Sequence, residues 1–327
     1  MSFRVKPTFT LLPLMLLCVV MQTSSCAAQV TPSLGDGGAK LSGKSEPALL
    51  VLGGSEDRVK LCVSTVSISG RTQPVGAVTL RAFDEVLLSG GADNSASESL
   101  PGWRGNSLWL DGQSVAATGT NDLRVSARFA SNDWEYASID LAPSWGTRVK
   151  KFARRLLYVQ PDLIVICDDV VLAEPAAVET GWWFPEGIAL DSVRDEWRLQ
   201  LARAGLTARF FASPGGRPQV QALSDSASAN PTSVASRVVQ LRAGVTNKLS
   251  EYRQLTVLVP HEKVAKRSLA FKLLESDTAI GLRVHRDGLP TLVAFHKNPG
   301  IGEANLTGMK FTAPVAVDVF RPKRPAR

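Results

Sequence analysis

The chain has 327 residues and a formal net charge of +7, from 37 basic and 30 acidic side chains. Beyond residue 28, no apolar run reaches the roughly 18 residues that a membrane-spanning helix needs, which argues against a transmembrane protein. The positive charge is modest for this length and mostly scattered, so nucleic acid is a poor candidate partner.

The start of the chain has the layout of an export signal. Arg4 and Lys6 precede an apolar run over residues 9–21, and small residues follow. This order predicts a signal peptide over residues 1–28, whose removal would lower the net charge to +5. Small residues directly before Cys26 also fit a bacterial lipoprotein signal, so lipidation of this cysteine stays open. Either route predicts a periplasmic or extracellular chain, attached to the envelope if Cys26 carries lipid.

The rest of the chain divides into three parts. Residues 29–47 are rich in glycine, serine, lysine and proline without periodicity, which predicts a flexible linker. Residues 48–320 carry almost only strand patterns, and residues 321–327 form a basic tail typical of a solvated end. Polar and apolar side chains alternate most clearly in segments 122–129, 196–203, 238–243, 255–259 and 280–285.

Turn residues separate these segments. Asp111-Gly112 and Asp287-Gly288 are dipeptides that tolerate positive φ and are typical of tight hairpins. No segment after the leader keeps a helical apolar period over about a dozen residues. The sequence therefore predicts an all-β fold, a large antiparallel β-sandwich of about a dozen strands with little helix. Residues 222–236 are small and polar, which predicts a surface loop or insert.

Cysteines and histidines offer little reactive chemistry. Cys62 and Cys167 could form a disulfide in an oxidising compartment or remain free thiols, and two cysteines alone make no zinc site. The three histidines, His261, His285 and His296, stand at no metal-ligand spacing, which favours structural roles.

Adjacent carboxylates follow the most apolar strand of the chain. Asp168 and Asp169 point to opposite faces of a strand, so they form no catalytic pair by themselves. We expect them to pair with arginines such as Arg154 or Arg155.

Several segments together carry a more specific pattern. The first is Asn106-Ser107-Leu108-Trp109-Leu110-Asp111-Gly112. The second, residues 155–169, has an arginine, an apolar strand, a Pro161-Asp162 turn and a second apolar strand that ends in aspartates. The third is Gly181-Trp182-Trp183-Phe184. In their order and spacing these segments resemble the C-terminal β-sandwich of the heparinase II/III-like polysaccharide lyase family.

The resemblance implies enzymes that join an α/α toroid to this β-sandwich and cleave uronate-containing glycans by β-elimination. It implies a tyrosine and histidines as catalytic groups, and in some members a metal held by β-domain histidines and an aspartate. This sequence departs from that pattern, because Gly105 stands where the family has a histidine and no paired histidines precede Asn106. Residues 29–47 are too few for a toroid. We therefore assign no catalytic, cofactor-binding or metal-binding residue.

These observations leave three hypotheses for function. The leading one is a secreted or envelope-attached β-sandwich that binds acidic polysaccharide and has no lyase activity on its own. The second is a polysaccharide lyase, or the β-subunit of a split lyase whose α/α toroid is a separate protein. The third is a structural envelope protein.

Candidate glycan contacts come from an aromatic pair and a basic stretch. Trp182 and Trp183 are adjacent on a strand and must point to opposite faces, so one of them could stack on a sugar ring. Arg148, Lys150 and Arg154 belong to a basic stretch that suits an acidic glycan.

Overall fold

A computed structural model describes residues 49–53, 58–64, 76–89, 108–114, 124–185, 189–193, 195–214, 217–224, 239–263 and 268–319. These residues form 21 β-strands and one 3₁₀ helix, Ala142–Arg148. The expected all-β antiparallel fold is confirmed. The strand number exceeds the expected dozen, in part because four strands have only two or three residues, too few for alternation to be detected in sequence.

A four-stranded sheet begins the fold. Its strands, in spatial and chain order, are β1 (Leu49–Leu52), β2 (Val59–Ser64), β3 (Val78–Ala82) and β4 (Glu85–Leu88).

An 11-stranded sheet follows. Its strands are β5 (Leu108–Leu110), β6 (Gln113–Ser114), β7 (Arg124–Ala130), β8 (Trp134–Asp140), β9 (Val149–Val159), β10 (Leu163–Phe184), β11 (Ala189–Val193), β12 (Glu196–Gln200), β13 (Ala204–Ser213), β14 (Gln219–Ser224) and β15 (Val239–Glu262). The main path runs β11-β12-β13-β15-β10-β9-β8-β7, with β14 also paired to β15 and the β5–β6 hairpin paired to β10.

Two further sheets complete the described chain. The strands are β16 (Leu269–Glu275), β17 (Ala279–Arg286), β18 (Leu289–His296), β19 (Ala304–Leu306), β20 (Met309–Phe311) and β21 (Val315–Val319). A four-stranded sheet has the order β16-β17-β18-β21, and β19 pairs with β20.

Two apolar cores lie on opposite faces of the 11-stranded sheet. In β10, Ile164 and Ile166 pack into the first core with the β1–β4 sheet, whereas Leu163, Val165 and Cys167 pack into the second core with β17 and β18. Because both faces of this segment are covered, its sequence is apolar throughout rather than alternating.

Strands β10 and β15 form one long antiparallel pair. In its proximal half, residues 163–171 of β10 pair with β9 and with residues 251–258 of β15. Register shifts between Val171 and Val178 mark an irregularity, beyond which β10 continues. In the distal half, residues 176–184 pair with residues 239–249 of β15 on one side and with β5 on the other. The predicted strands 238–243 and 255–259 thus belong to one strand.

The two aspartates have the expected arginine partners. Asp168 lies opposite Arg154 across the β9–β10 pair and is bonded to it at 2.7 Å and 2.9 Å. Asp169 pairs with Arg155, and Lys151 Nζ lies 2.8 Å from the same carboxylate. All four residues of the two arginine–aspartate pairs are buried. The prediction that these aspartates are structural ion-pair partners is confirmed.

The cysteines are free thiols. Cys62 lies on β2, whereas Cys167 faces the second core, on the far side of the 11-stranded sheet. This placement resolves the open alternative against a disulfide. Burial raises the pKa of Cys167 to about 12, and the positive charge of Arg155 opposes that rise.

One predicted loop overlaps a strand, and several predicted segments lie outside the described residues. Residues 222–224, expected in a loop, belong to strand β14 and pair with β15, because that strand continues into the small-residue segment. Residues 225–236 lie outside the described residues, as do the predicted signal peptide with Cys26, the linker and the basic tail. In the part of the chain that is described, no helix is long and apolar enough to cross a membrane.

Candidate functional site

The distal half of the β10–β15 pair has one side in the core and one side turned away from it. Val178, Thr180 and Trp182 are fully buried on the core side. Alternation places Glu179, Gly181 and Trp183 on the other side. The pairing register adds Trp109 of β5 and Gln240 and Arg242 of β15 to the same side. We call these six residues the outer face.

An arginine and an indole stack on the outer face. The guanidinium carbon of Arg242 lies 3.5 Å from the centre of the Trp109 ring. Arg242 Nε–H donates to Gln240 Oε1 at 3.0 Å, which holds the guanidinium over the ring. Stacked cation and ring attract through the ring's negative face, and both remain partly accessible. Side chains of this kind present an aromatic surface and a positive charge at one place.

Hydrogen-bond donors outnumber acceptors at this point. Trp109 Nε1 and Gln240 Nε2 are both enclosed and have no hydrogen-bond partner within the described chain. The single amide oxygen of Gln240 already accepts from Arg242. Flipping the amide would leave Arg242 Nε–H facing an NH₂ group in place of its acceptor. Either orientation therefore leaves donors unsatisfied.

Gly181 makes room for these donors. A Cβ atom on residue 181 would lie 2.7 Å from Gln240 Nε2 and 2.9 Å from Trp109 Nε1. Any other residue would clash with both nitrogen atoms, so glycine leaves a notch against which both of them lie.

The charge of Arg242 is not neutralised by an ion pair. Within the described residues it has no carboxylate within salt-bridge distance, although Glu179 lies near enough to interact with it. Burial lowers the pKa of Arg242 from its ordinary value, and the charge of Glu179 acts in the opposite direction. The outer face therefore combines a stacked indole, surplus donors and a guanidinium that has no ion pair in the described chain.

Two of the five predicted glycan contacts lie in the interior. Trp182 is fully buried, and its Nε1–H donates to Thr180 Oγ1 at 3.0 Å. Arg154 is also buried; besides Asp168 it donates to the Gly76 carbonyl at 3.0 Å and lies against the Phe152 and Trp182 rings. Side chains enclosed in this way have no surface for a sugar, which corrects the expectation for both.

The other three predicted contacts keep accessible surface. Trp183 is half-buried on the outer face, opposite Trp182 as expected. Arg148 is exposed, and its Nη2 lies 3.6 Å from Asp111 Oδ2 at the turn after β5. Lys150 is exposed at the start of β9. The structure thus brings Trp183 and Arg148 to the neighbourhood of β5, at opposite ends of a strip that includes Trp109.

The residues that sequence analysis missed are Trp109, Gln240, Arg242 and Gly181. Trp109 stands between Leu108 and Leu110, so alternation alone places it opposite two core residues. Nothing in the sequence shows that β5 and β15 flank the same part of β10. This pairing depends on the register of β10 with each of the two strands, and no nearby turn sets that register.

Histidines and tyrosines lie elsewhere. His296 is buried, accepts from the Asn298 backbone N–H at 3.1 Å and contacts the Gly302 carbonyl, a structural role as expected. Tyr136, Tyr158 and Tyr252 are buried on strands. No group of three or more metal-ligating side chains is found among the described residues.

The fold is that of a heparinase-like β-sandwich. A heparinase III, the BT4657 gene product, superposes with a TM-score of 0.59 at 15% identity, over 78% of this chain and 42% of that one. Heparan sulfate lyase HepC from Pedobacter heparinus gives a TM-score of 0.59 at 11% identity, over 79% and 42%.

Another heparinase III structure gives a TM-score of 0.55 at 12% identity. The matched region is the C-terminal part of those proteins, so this chain spans less than half their length. The expected likeness to the C-terminal β-sandwich is confirmed as a likeness of fold. No family model and no curated protein matches the chain.

Proposed function

We propose that this protein binds acidic polysaccharide along the outer face and has no lyase activity on its own. One observation carries the proposal: the Arg242 guanidinium is stacked on Trp109 without a carboxylate partner in the described chain. A cation without an ion pair in the described chain, beside a partly accessible indole, suits a ligand that offers both a sugar ring and a negative charge.

Surrounding features support an extended ligand. Trp183 and Glu179 lie on the same side of β10, and Arg148 lies beyond them near Asp111. Residues 177–183 of an extended strand span roughly 20 Å, which is long enough for several sugar units. The likeness to structures named as heparinases and a heparan sulfate lyase, together with the basic net charge, favours an acidic glycan.

Catalysis by β-elimination is the second candidate, because the fold is that of lyases. The step needs a general base for the C5 proton and an acid for the leaving oxygen. The outer face, as described, offers Glu179 but neither tyrosine nor histidine, and the three described tyrosines are buried. A separate toroid protein could supply such groups, which keeps a split lyase as the alternative.

Affinity electrophoresis tests the proposal. The protein would run through gels containing heparan sulfate, hyaluronan, alginate or neutral dextran, and the same mixtures would be followed by ultraviolet absorbance for unsaturated uronate. We expect retardation by an acidic glycan without a new absorbance. Absorbance growth with the protein alone would establish a lyase instead, and absence of retardation in every gel would favour a structural envelope protein.

Variants locate the binding surface. Trp183→Ala and Arg148→Ala should each weaken retardation severalfold, because each removes a contact at one end of the strip. Arg283→Ala is the matched control, since Arg283 is an exposed strand arginine on β17 of another sheet. Equal retardation of all three variants would place the glycan elsewhere.

We also propose that the protein acts outside the cytoplasm. The support is the export-signal pattern of the first 28 residues, with lipidation of Cys26 as the alternative to cleavage. Cell fractionation with and without Cys26→Ser distinguishes the two, because only a lipidated chain moves from the membrane fraction to the soluble fraction on substitution.

A further inference from the structure

The notch over Gly181 holds two enclosed side-chain nitrogen atoms, Trp109 Nε1 and Gln240 Nε2, that have no hydrogen-bond acceptor in the described chain. The one amide oxygen of Gln240 accepts from Arg242 Nε–H instead. Gln240 is only 2% exposed, so water does not complete its hydrogen bonding at the surface. Enclosed donors without acceptors are rare in native proteins because each one loses its hydrogen bonds to water on folding.

The missing partner must be an acceptor, and the charges indicate which kind. Two neutral nitrogen donors, Gln240 Nε2 and Trp109 Nε1, lie 2.7 Å and 2.9 Å from the position that a Cβ atom at residue 181 would take. A guanidinium without an ion pair in the described chain lies beside them, over the Trp109 ring. Several donors around one positive charge match an oxyanion with two or three acceptor oxygens better than a neutral hydroxyl, which would itself bring another donor.

We propose that this notch binds one acidic group of the polysaccharide, a carboxylate or a sulfate ester, through Trp109 Nε1–H, Gln240 Nε2–H and the Arg242 guanidinium. The inference rests on the proposed function, since it names the group by which the glycan is recognised. The two neutral donors are enclosed, so the acidic group enters as the half-buried Arg242 side chain swings from the indole to meet it.

Two substitutions test the notch without removing the aromatic platform. Trp109→Phe keeps a smaller aromatic ring and deletes the Nε1–H donor. Gln240→Glu keeps the shape and places a negative charge where the acidic group would lie. Gln219→Glu is the matched control, because Gln219 is exposed on β14 in the same sheet and its substitution changes the net charge equally.

The probes separate the two sources of negative charge. Alginate carries carboxylates only, κ-carrageenan carries sulfate esters only, and dextran is neutral. Dissociation constants come from mobility against polysaccharide concentration, with the full chain of each variant. Trp109→Phe should weaken binding of the recognised polymer about tenfold, and Gln240→Glu by more, whereas Gln219→Glu should stay within about twofold of the unsubstituted protein.

Each outcome decides between the two proposals. Selective loss on alginate identifies a carboxylate, and selective loss on carrageenan identifies a sulfate ester. Undiminished binding of acidic polymers by Trp109→Phe, with its fold intact by circular dichroism, would overturn the notch and leave the proposed function standing. Equal binding of dextran by the unsubstituted protein would also overturn it. Retardation by none of the polymers would overturn the proposed function and the notch together.

Discussion

The proximal and distal halves of the β10–β15 pair treat buried polar groups differently. In the proximal half, Arg154 makes two hydrogen bonds to Asp168 and a third to the Gly76 carbonyl. Asp169 Oδ1 and Arg253 Nε make no hydrogen bond there, but they lie 3.2 Å apart and pair their opposite charges. In the distal half, Trp109 Nε1 and Gln240 Nε2 are enclosed without acceptors in the described chain. Both halves belong to the same two strands and share the first core.

The difference separates polar groups that stabilise the fold from polar groups that remain available to bind a ligand. A buried ion pair that is complete within the protein gains nothing from a further partner. Donors left incomplete cost free energy in the unliganded protein, and that cost is recovered only when an acceptor arrives. Strain of this kind is tolerated in natural proteins mainly where function requires it.

Breaking the proximal pair should have the largest effect. Asp168→Asn leaves the Arg154 guanidinium buried without its counter-charge, because both side chains are almost fully enclosed. We expect the free energy of unfolding to fall by about 3–5 kcal/mol. Urea unfolding followed by tryptophan fluorescence measures the change.

An exposed ion pair provides the control for this substitution. Lys310 Nζ and Glu303 Oε1 lie 3.1 Å apart, but both side chains are more than half exposed. Glu303→Gln should therefore change stability by less than about 1 kcal/mol. Similar losses for the two substitutions would show that burial of the Arg154–Asp168 pair does not set its energetic role.

Alkaline pH should have the next largest effect, through Tyr136 of β8, the strand that pairs with β9 beside the proximal half. Burial raises the pKa of Tyr136 from 10.0 to about 12, although Arg155 and a hydrogen bond with Ser138 lower it. The folded state thus holds the proton more tightly than the unfolded chain, so its stabilising effect is complete below pH 10 and is lost as pH rises towards 12. Two pKa units correspond to about 2–3 kcal/mol.

A variant isolates this titration. Tyr136→Phe removes the ionisable group, so its urea midpoint should fall less steeply between pH 10 and 12 than that of the unsubstituted protein. Part of the slope should remain because burial also raises the pKa of Cys167. Identical slopes in the two proteins would show that ionisation of Tyr136 does not lower the free energy of unfolding.

The proximal half was predictable from sequence because its determinants are local. Apolar residues run on both sides of the Pro161-Asp162 turn, and counting back from that turn brings Arg154 opposite Asp168. A short hairpin therefore fixes both the strands and the ion pair.

The distal half was not predictable for the opposite reason. Its register follows an irregularity between Val171 and Val178, and its neighbours β5 and β15 come from distant parts of the chain. Alternation showed that Trp182 and Trp183 point to opposite faces, but it could not show which face is covered by another sheet. The donors above Gly181 meet only when all three strands are in place.

The smallest expected change in stability gives the most direct test of the difference between the proximal and distal halves. Trp109→Phe deletes an enclosed donor that has no partner in the described chain while leaving a smaller aromatic ring near Arg242. Both Trp109→Phe and Trp182→Phe remove part of an indole and its packing, but only Trp182→Phe also removes a hydrogen bond, because its Nε1–H donates to Thr180. In the absence of glycan, Trp109→Phe should therefore cost about 1 kcal/mol less stability than Trp182→Phe. Paired urea titrations of the two variants measure this difference. An equal or larger loss of stability at Trp109 would mean that its donor is already satisfied in solution, and the acceptor would then have to be sought in the protein or its bound water rather than in a ligand.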